Sequence, residues 1–154
     1  MPFKRAFQPP RWLRPAHVQS MLPSLGLRAR RVQLRARAVV EASEAVLLEV
    51  GDGVRLQGFH ARHAVPARDL VVLHHGWEGS ADSSYLLSLA ARLWAAGFDV
   101  FRLNMRDHGE THHLNEELFH SCRLDEMVGA VRAIAACAPG QRLSLVGYSL
   151  GGNF

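Results

Sequence analysis

No stretch of this sequence approaches the roughly 20 consecutive apolar residues that a helix needs to cross a bilayer. Apolar residues nevertheless make up 48% of its 154 positions. The start of the chain carries Lys4 and Arg5 but runs into Pro9, Pro10 and Pro15, not into the apolar core of a secretory signal. Cysteine is scarce. Cys122 and Cys137 do not have the spacing of paired metal ligands, and they read as reduced thiols. These absences point to a cytoplasmic protein without a transmembrane segment or a disulfide framework. The balance of apolar and charged residues is ordinary for a soluble globular chain, long enough to bury one core.

Acidic residues are missing from the first forty positions. That stretch holds nine basic ones: Lys4, Arg5, Arg11, Arg14, Arg28, Arg30, Arg31, Arg35 and Arg37. The remainder has nine basic and fourteen acidic residues, so the net charge of +4 hides a basic arm and an acidic body. Basic arms bind nucleic acid or anionic lipid. Trp12, Leu13, Val18, Met21 and Leu22 are too apolar for a solvated tail, however, and no nucleic-acid motif accompanies the charge. The expectation is an arm, residues 1–40, that packs on the body, residues 41–154. Peripheral membrane contact is the lesser alternative, and nucleic acid is not an expected partner.

Along the chain, residues 1–27 are Pro-rich and read as extended, with one helical turn near His17–Met21. Arg28–Val40 alternates loosely, which suggests a strand through Val32, Leu34 and Val39. Ala45–Val50, Gly51-Asp52-Gly53 and Val54–Phe59 read as a β-hairpin. Beyond a loop through Pro66, Leu70–His74 is a continuous apolar run of the kind buried on both faces. A helix is expected over Ser83–Ala96 and is stopped by Gly97. A strand follows at Phe98–Leu103, then a polar loop from Asn104 to Arg123. A helix over Leu124–Cys137 ends at Pro139-Gly140, and Leu143–Val146 is the last strand. Strands alternating with helices imply an α/β fold with a mostly parallel sheet and flanking helices.

The last strand runs into Gly147-Tyr148-Ser149-Leu150-Gly151-Gly152-Asn153. Strand followed by G-x-S-x-G-G is the sequence form of a nucleophile elbow. Ser149 must take strained backbone angles at such a turn for its hydroxyl to stand clear of the sheet. Gly147 and Gly151 flank it where side chains would collide, and Gly152 lets a helix beginning at Ser149 pack closely. The free N–H groups of that helix start would face developing negative charge.

With these residues in view, the chain resembles the first half of an α/β-hydrolase, and within that superfamily the YheT-like branch. Pro10–Ser20 is similar to that branch's N-terminal signature, and His75-Gly76-Trp77-Glu78-Gly79-Ser80 to its strand-end loop. Arg102–Gly109 and Phe119-His120-Ser121 resemble its next loop, and Gly147–Asn153 its elbow. The resemblance implies a truncated α/β-hydrolase domain, whose C-terminal half would follow the elbow. It implies Ser149 as nucleophile, with an oxyanion hole from the backbone N–H groups of Trp77 and Leu150. Gly76 would leave room for the substrate carbonyl.

The implied activity is hydrolysis of a carboxylic ester through an acyl-enzyme, on a small-molecule substrate and without a cofactor. In this fold the acid and the histidine follow the serine, yet all nine histidines precede Ser149. His74 and His75 are therefore expected to be structural, hydrogen-bonded at the strand end. A non-catalytic fragment or binding module remains the alternative. The loop holding Asp107, His108, Glu110, His112, His113, His120 and Cys122 is rich in metal-capable side chains. Gly109 interrupts any helix there and the spacing fits no zinc motif, so no metal site is assigned.

Overall fold

The computed structural model describes residues 8–22, 26–65, 67 and 69–154. Lys4, Arg5 and Pro66 lie outside the described residues. Strands β1 (Ser43–Glu49) and β2 (Arg55–Ala61) form the expected hairpin, with Ser43 opposite Ala61 and Glu49 opposite Arg55. Strands β3 (Asp69–His74), β4 (Asp99–Leu103) and β5 (Arg142–Gly147) run parallel to one another. Strand β2 joins β4 antiparallel, which makes one sheet of order β1-β2-β4-β3-β5.

Both faces of the centre of the sheet are covered, as β3 shows, whereas the edge strand β5, read from its apolar run as buried, is largely exposed. Leu70 and Val72 point into one core with Leu48, Leu56, Phe101 and Leu103. Val71 and Leu73 point into the other with Val100. This is the period-two alternation of a strand buried on both sides. Helix α3 (Ser84–Ala95) closes the second core with Leu86, Leu87 and Ala90. Helix α4 (Leu124–Cys137) closes the first with Met127, Ala130 and Ile134. The helix start expected at Ser83 is its N-cap. On α4, Leu124 and Val128 do not join the core but line a cavity of about 460 Å³ beside β5.

The arm differs from expectation in one element. Helix α1 (Ala16–Met21) matches the turn expected near His17–Met21. Residues Gly26–Glu41, however, form a helix, α2, and not a strand. Val32, Ala36 and Val39 fall at i, i+4 and i+7, and this single stripe packs in the same core as α3. Leu34, placed on a strand by alternation, is 67% exposed on the opposite side. The stretch is built of Arg, Ala, Leu and Gln, which are good helix formers, and a stripe three residues long is easily mistaken for loose alternation.

Helix α4 approaches the hairpin closely because Gly129 has no side chain. A Cβ there would run into the carbonyl of Val50. Replacing a helix-interior glycine by alanine ordinarily stabilises by about 0.5–1 kcal/mol. Here overpacking against backbone, at about 1–3 kcal/mol, outweighs that gain. Gly129→Ala is therefore expected to lower the urea midpoint, whereas a rise would show that α4 stands off the hairpin.

Candidate active site

The register of β3 and β5 places His74 opposite Gly147, so the loops leaving these two strands lie side by side. After β5, Tyr148 is still extended, and Ser149 turns into the left-handed region at φ +51°. A non-glycine residue there costs on the order of 1–2 kcal/mol and needs surrounding bonds to hold it. Tyr148 N–H donates to the His74 carbonyl at 3.1 Å, and Gly151 N–H donates to the Tyr148 carbonyl at 3.0 Å. Ser149 is exposed.

The two inner glycines are sterically required. A Cβ on Gly147 would meet the Gly151 carbonyl, and one on Gly151 would meet the His75 carbonyl. Gly152 is under less pressure, with a Cβ position 3.2 Å from the Gly147 oxygen. The helix expected to begin at Ser149 is a single 3-10 turn, Ser149–Gly152. Its i→i+3 bonds are the ones a four-residue turn can close. The N–H of Leu150 lies in its first turn, where helical donors have no partner within the helix.

Facing the turn is the exit of β3. Gly76 is buried, and its Cβ position lies 3.3 Å from Ser149 Cβ and 3.2 Å from the Tyr148 oxygen. Gly79 N–H closes a tight turn onto the Gly76 carbonyl at 3.0 Å, with Glu78 at φ +53°. Gly76 N–H donates to the Tyr85 hydroxyl of α3 at 3.0 Å. The Tyr85 and Tyr148 rings meet at 4.8 Å, so α3 ties the two loops together. Trp77 is 63% exposed, and its N–H has no acceptor among the described residues. Past the loop, Ala81 is held by Asn104 Oδ1 at 2.7 Å and by the buried Arg102 guanidinium at 2.8 Å.

The two histidines differ. His75 is fully buried; its Nδ1 is 2.7 Å from the Gly76 carbonyl, and its Nε2 accepts Met105 N–H at 3.1 Å. His74 is also buried, lines the 460 Å³ cavity with Gly147, Gly151 and Phe154, and neither ring nitrogen has a partner among the described residues. The expectation that both are hydrogen-bonded thus holds for His75 and fails for His74. His74 lies on the same face of β3 as Leu70 and Val72, where its neighbours are apolar. Burial lowers both side chains to a pKa of about 4.

The long loop 104–123 is anchored at several points. Buried Arg106 pairs with Glu126 of α4 at 2.7 and 3.2 Å and donates to the Glu117 carbonyl at 2.9 Å. Asp107, at φ +60°, accepts Phe119 N–H at 2.6 Å. Phe119 then stands edge-on to Trp77 and to His108, so an aromatic wall borders the exposed Trp77. Among the described residues no three His, Cys, Asp or Glu side chains converge as metal ligands. A polar cleft of about 700 Å³ between the hairpin turn and residues 114–126 contains neither Ser149 nor Trp77.

Residues 69–154 match the family described as alpha/beta hydrolase fold. Among solved structures, the chain is similar to an esterase from Pyrococcus furiosus, with a TM-score of 0.61 and 18% identity over 71% of this chain. A dienelactone hydrolase from Anabaena variabilis gives a TM-score of 0.60 and 23% identity over 71% of this chain. A 2,6-dihydroxy-pseudo-oxynicotine hydrolase gives 0.57 and 18% over 93%. The chain spans 43%, 53% and 40% of these three proteins respectively. At such identities the likeness is one of fold. No curated protein matches the sequence.

The lowered histidines set a pH dependence of stability. With folded pKa values of about 4 against an unfolded 6.5, the unfolded chain binds more protons between those limits. Their contribution is complete above the unfolded value and is lost as pH falls through the folded one. Urea midpoints are therefore expected to drop across this window, and His74→Leu to reduce the slope. An unchanged slope in the variant would show that His74 titrates alike in both states.

Proposed function

Because the chain belongs to the alpha/beta hydrolase fold family, we propose that it carries the nucleophile half of a serine hydrolase acting on carboxylic esters, of the YheT-like branch. The observation that carries this reading is Ser149 at φ +51°, exposed at the end of β5 and set against Gly76. A serine held in that conformation by its own neighbours is costly to keep as a mere turn residue. Its hydroxyl attacks the ester carbonyl, and the N–H groups of Trp77 and Leu150 receive the developing oxyanion. The leaving alcohol departs, and water releases the acyl group from the serine.

The reaction needs a base to take the serine proton and an acid to orient that base. His74 lines the cavity beside β5 with no bonded partner among the described residues, and His75 has both nitrogens engaged. In the order this fold uses, the acid and the histidine follow the serine, so neither is assigned among these residues, and the chain spans about half of its structural relatives or less. The substrate is a small ester or acyl compound, no cofactor takes part, and the setting is cytoplasmic. Residues 1–40 serve as an arm on the acidic body, docked through Val32, Ala36 and Val39. No helix among the described residues is long and apolar enough to cross a membrane.

A second reading, a non-catalytic module, draws on the same lack of a positioned base. Fluorophosphonate labelling decides between them. With the whole polypeptide, labelling is expected and Ser149→Ala is expected to abolish it while leaving the circular dichroism unchanged. Labelling that survives in the variant would remove Ser149 as nucleophile. Absence of labelling in the whole polypeptide would favour the module. The 154-residue chain by itself is expected to turn over no ester at an enzymatic rate.

Deletion of the arm is expected to lower the melting temperature of the whole polypeptide. If stability is untouched and a salt-sensitive binding to anionic vesicles is lost instead, the arm is a tether and not a brace.

A further inference from the structure

We propose that His75 is a positioning residue that fixes the direction of the Trp77 N–H by holding the Gly76–Trp77 peptide, and that it does so as the neutral Nδ1–H tautomer. The inference rests on the reading of Trp77 as an oxyanion donor, and it adds the group that sets the donor in place. Met105 N–H lies 3.1 Å from His75 Nε2, and a backbone N–H can only donate. Nε2 is therefore the bare nitrogen, and the proton sits on Nδ1. From there it is donated to the Gly76 carbonyl at 2.7 Å. Which nitrogen carries the proton follows from the partners, as it does wherever a ring's other contact is an obligate donor.

The Gly76 carbonyl belongs to the same peptide unit as the Trp77 N–H. In a trans peptide the two bonds point in opposite directions, so a carbonyl held inward aims the N–H outward. The carbonyl is held twice, by His75 and by Gly79 N–H at 3.0 Å. The preceding peptide is held as well, since Gly76 N–H donates to the Tyr85 hydroxyl. His75 is fully buried whereas Trp77 and Ser149 are exposed, so inward and outward are defined by the structure itself. The path runs from Met105 at the end of β4, through the imidazole, to the peptide beside Ser149. Protonating the ring would keep the bond to Gly76 but place an N–H against the Met105 N–H, so the neutral ring is the form that fits both partners.

Two substitutions separate the two bonds. The amide of His75→Asn reaches about as far as Nδ1 and retains a donor for Gly76, whereas that of His75→Gln reaches about as far as Nε2 and retains only the acceptor for Met105. Long-range proton–nitrogen NMR on the full chain is expected to show His75 protonated on Nδ1 at neutral pH. The Trp77 amide resonance is expected to move in His75→Gln and to stay near its wild-type position in His75→Asn. The opposite tautomer, or a Trp77 amide equally displaced in both variants, would overturn the proposal.

On the whole polypeptide, kcat per fluorophosphonate-titrated site is expected to fall on the order of 10²-fold in His75→Gln, as for loss of an oxyanion donor, with KM little changed. His75→Asn is expected to recover most of that loss. Equal kcat losses in both variants would make His75 a general support of the fold. The NMR result stands whether or not Ser149 proves to be the nucleophile, so failure of the assignment and failure of the relay are told apart.

Discussion

The pairing of β3 with β5 is the constraint on which the site depends. His74 lies opposite Gly147, and that register sets the exit of one strand against the exit of the other. A slip by one residue would reverse which faces of β5 are buried and carry the serine turn away from Gly76. The glycines then allow contact at the meeting point. Gly147 and Gly151 have no room for a Cβ, and Gly76 is within van der Waals reach of the serine. The strained backbone of Ser149 persists because the bonds around it, from Tyr148 to His74 and from Gly151 to Tyr148, are themselves fixed by this pairing.

Around that contact the protein uses buried polar side chains where loops must be held without regular structure. Arg102 leaves β4 under the ring of Phe59 and reaches Ala81 and Asp82. Asn104 takes Ala81 N–H and donates to Gln57. Arg106 crosses to Glu126. Burying a guanidinium is expensive, and an ion pair recovers that cost only when its geometry is good and its other hydrogens are satisfied. Arg106 meets those conditions, with three nitrogens engaged. Arg102 meets them less fully, since its Nε has no partner among the described residues and its carboxylate partner Asp82 is largely exposed. A hydrophobic replacement at Arg102 would remove that cost, but it would also release the loop between the β3 exit and α3.

Much of this architecture was legible in the sequence, because β3 and β4 are short apolar runs with no competing period. The hairpin was legible through Gly51-Asp52-Gly53, and the turn at Ser149 through its glycines. Helix α2 was not, because among the described residues its contacts with the core come from Val32, Ala36 and Val39. A stripe of three anchoring residues is too short to stand out from loose alternation. In the candidate site, Ser149 and its flanking glycines were read from spacing, and Gly76 from the resemblance. Tyr85, Asn104 and Met105 could not, since each acts through bonds to residues more than eight positions away. Such contacts leave no local pattern.

The neighbouring histidines at the end of β3 show how far a local pattern can mislead. In sequence they are alike, two imidazoles after an apolar strand. Alternation sends His74 toward the apolar face shared with Leu70 and Val72, while the chain bends after it and carries His75 under the next loop. There a backbone N–H from β4 meets one nitrogen and a loop carbonyl meets the other. Burial lowers the pKa of both rings, so the direction of the shift does not separate them. What separates them is the number of bonds each can transmit. A ring with two partners on different elements fixes one element relative to the other, and a ring with none can only fill space.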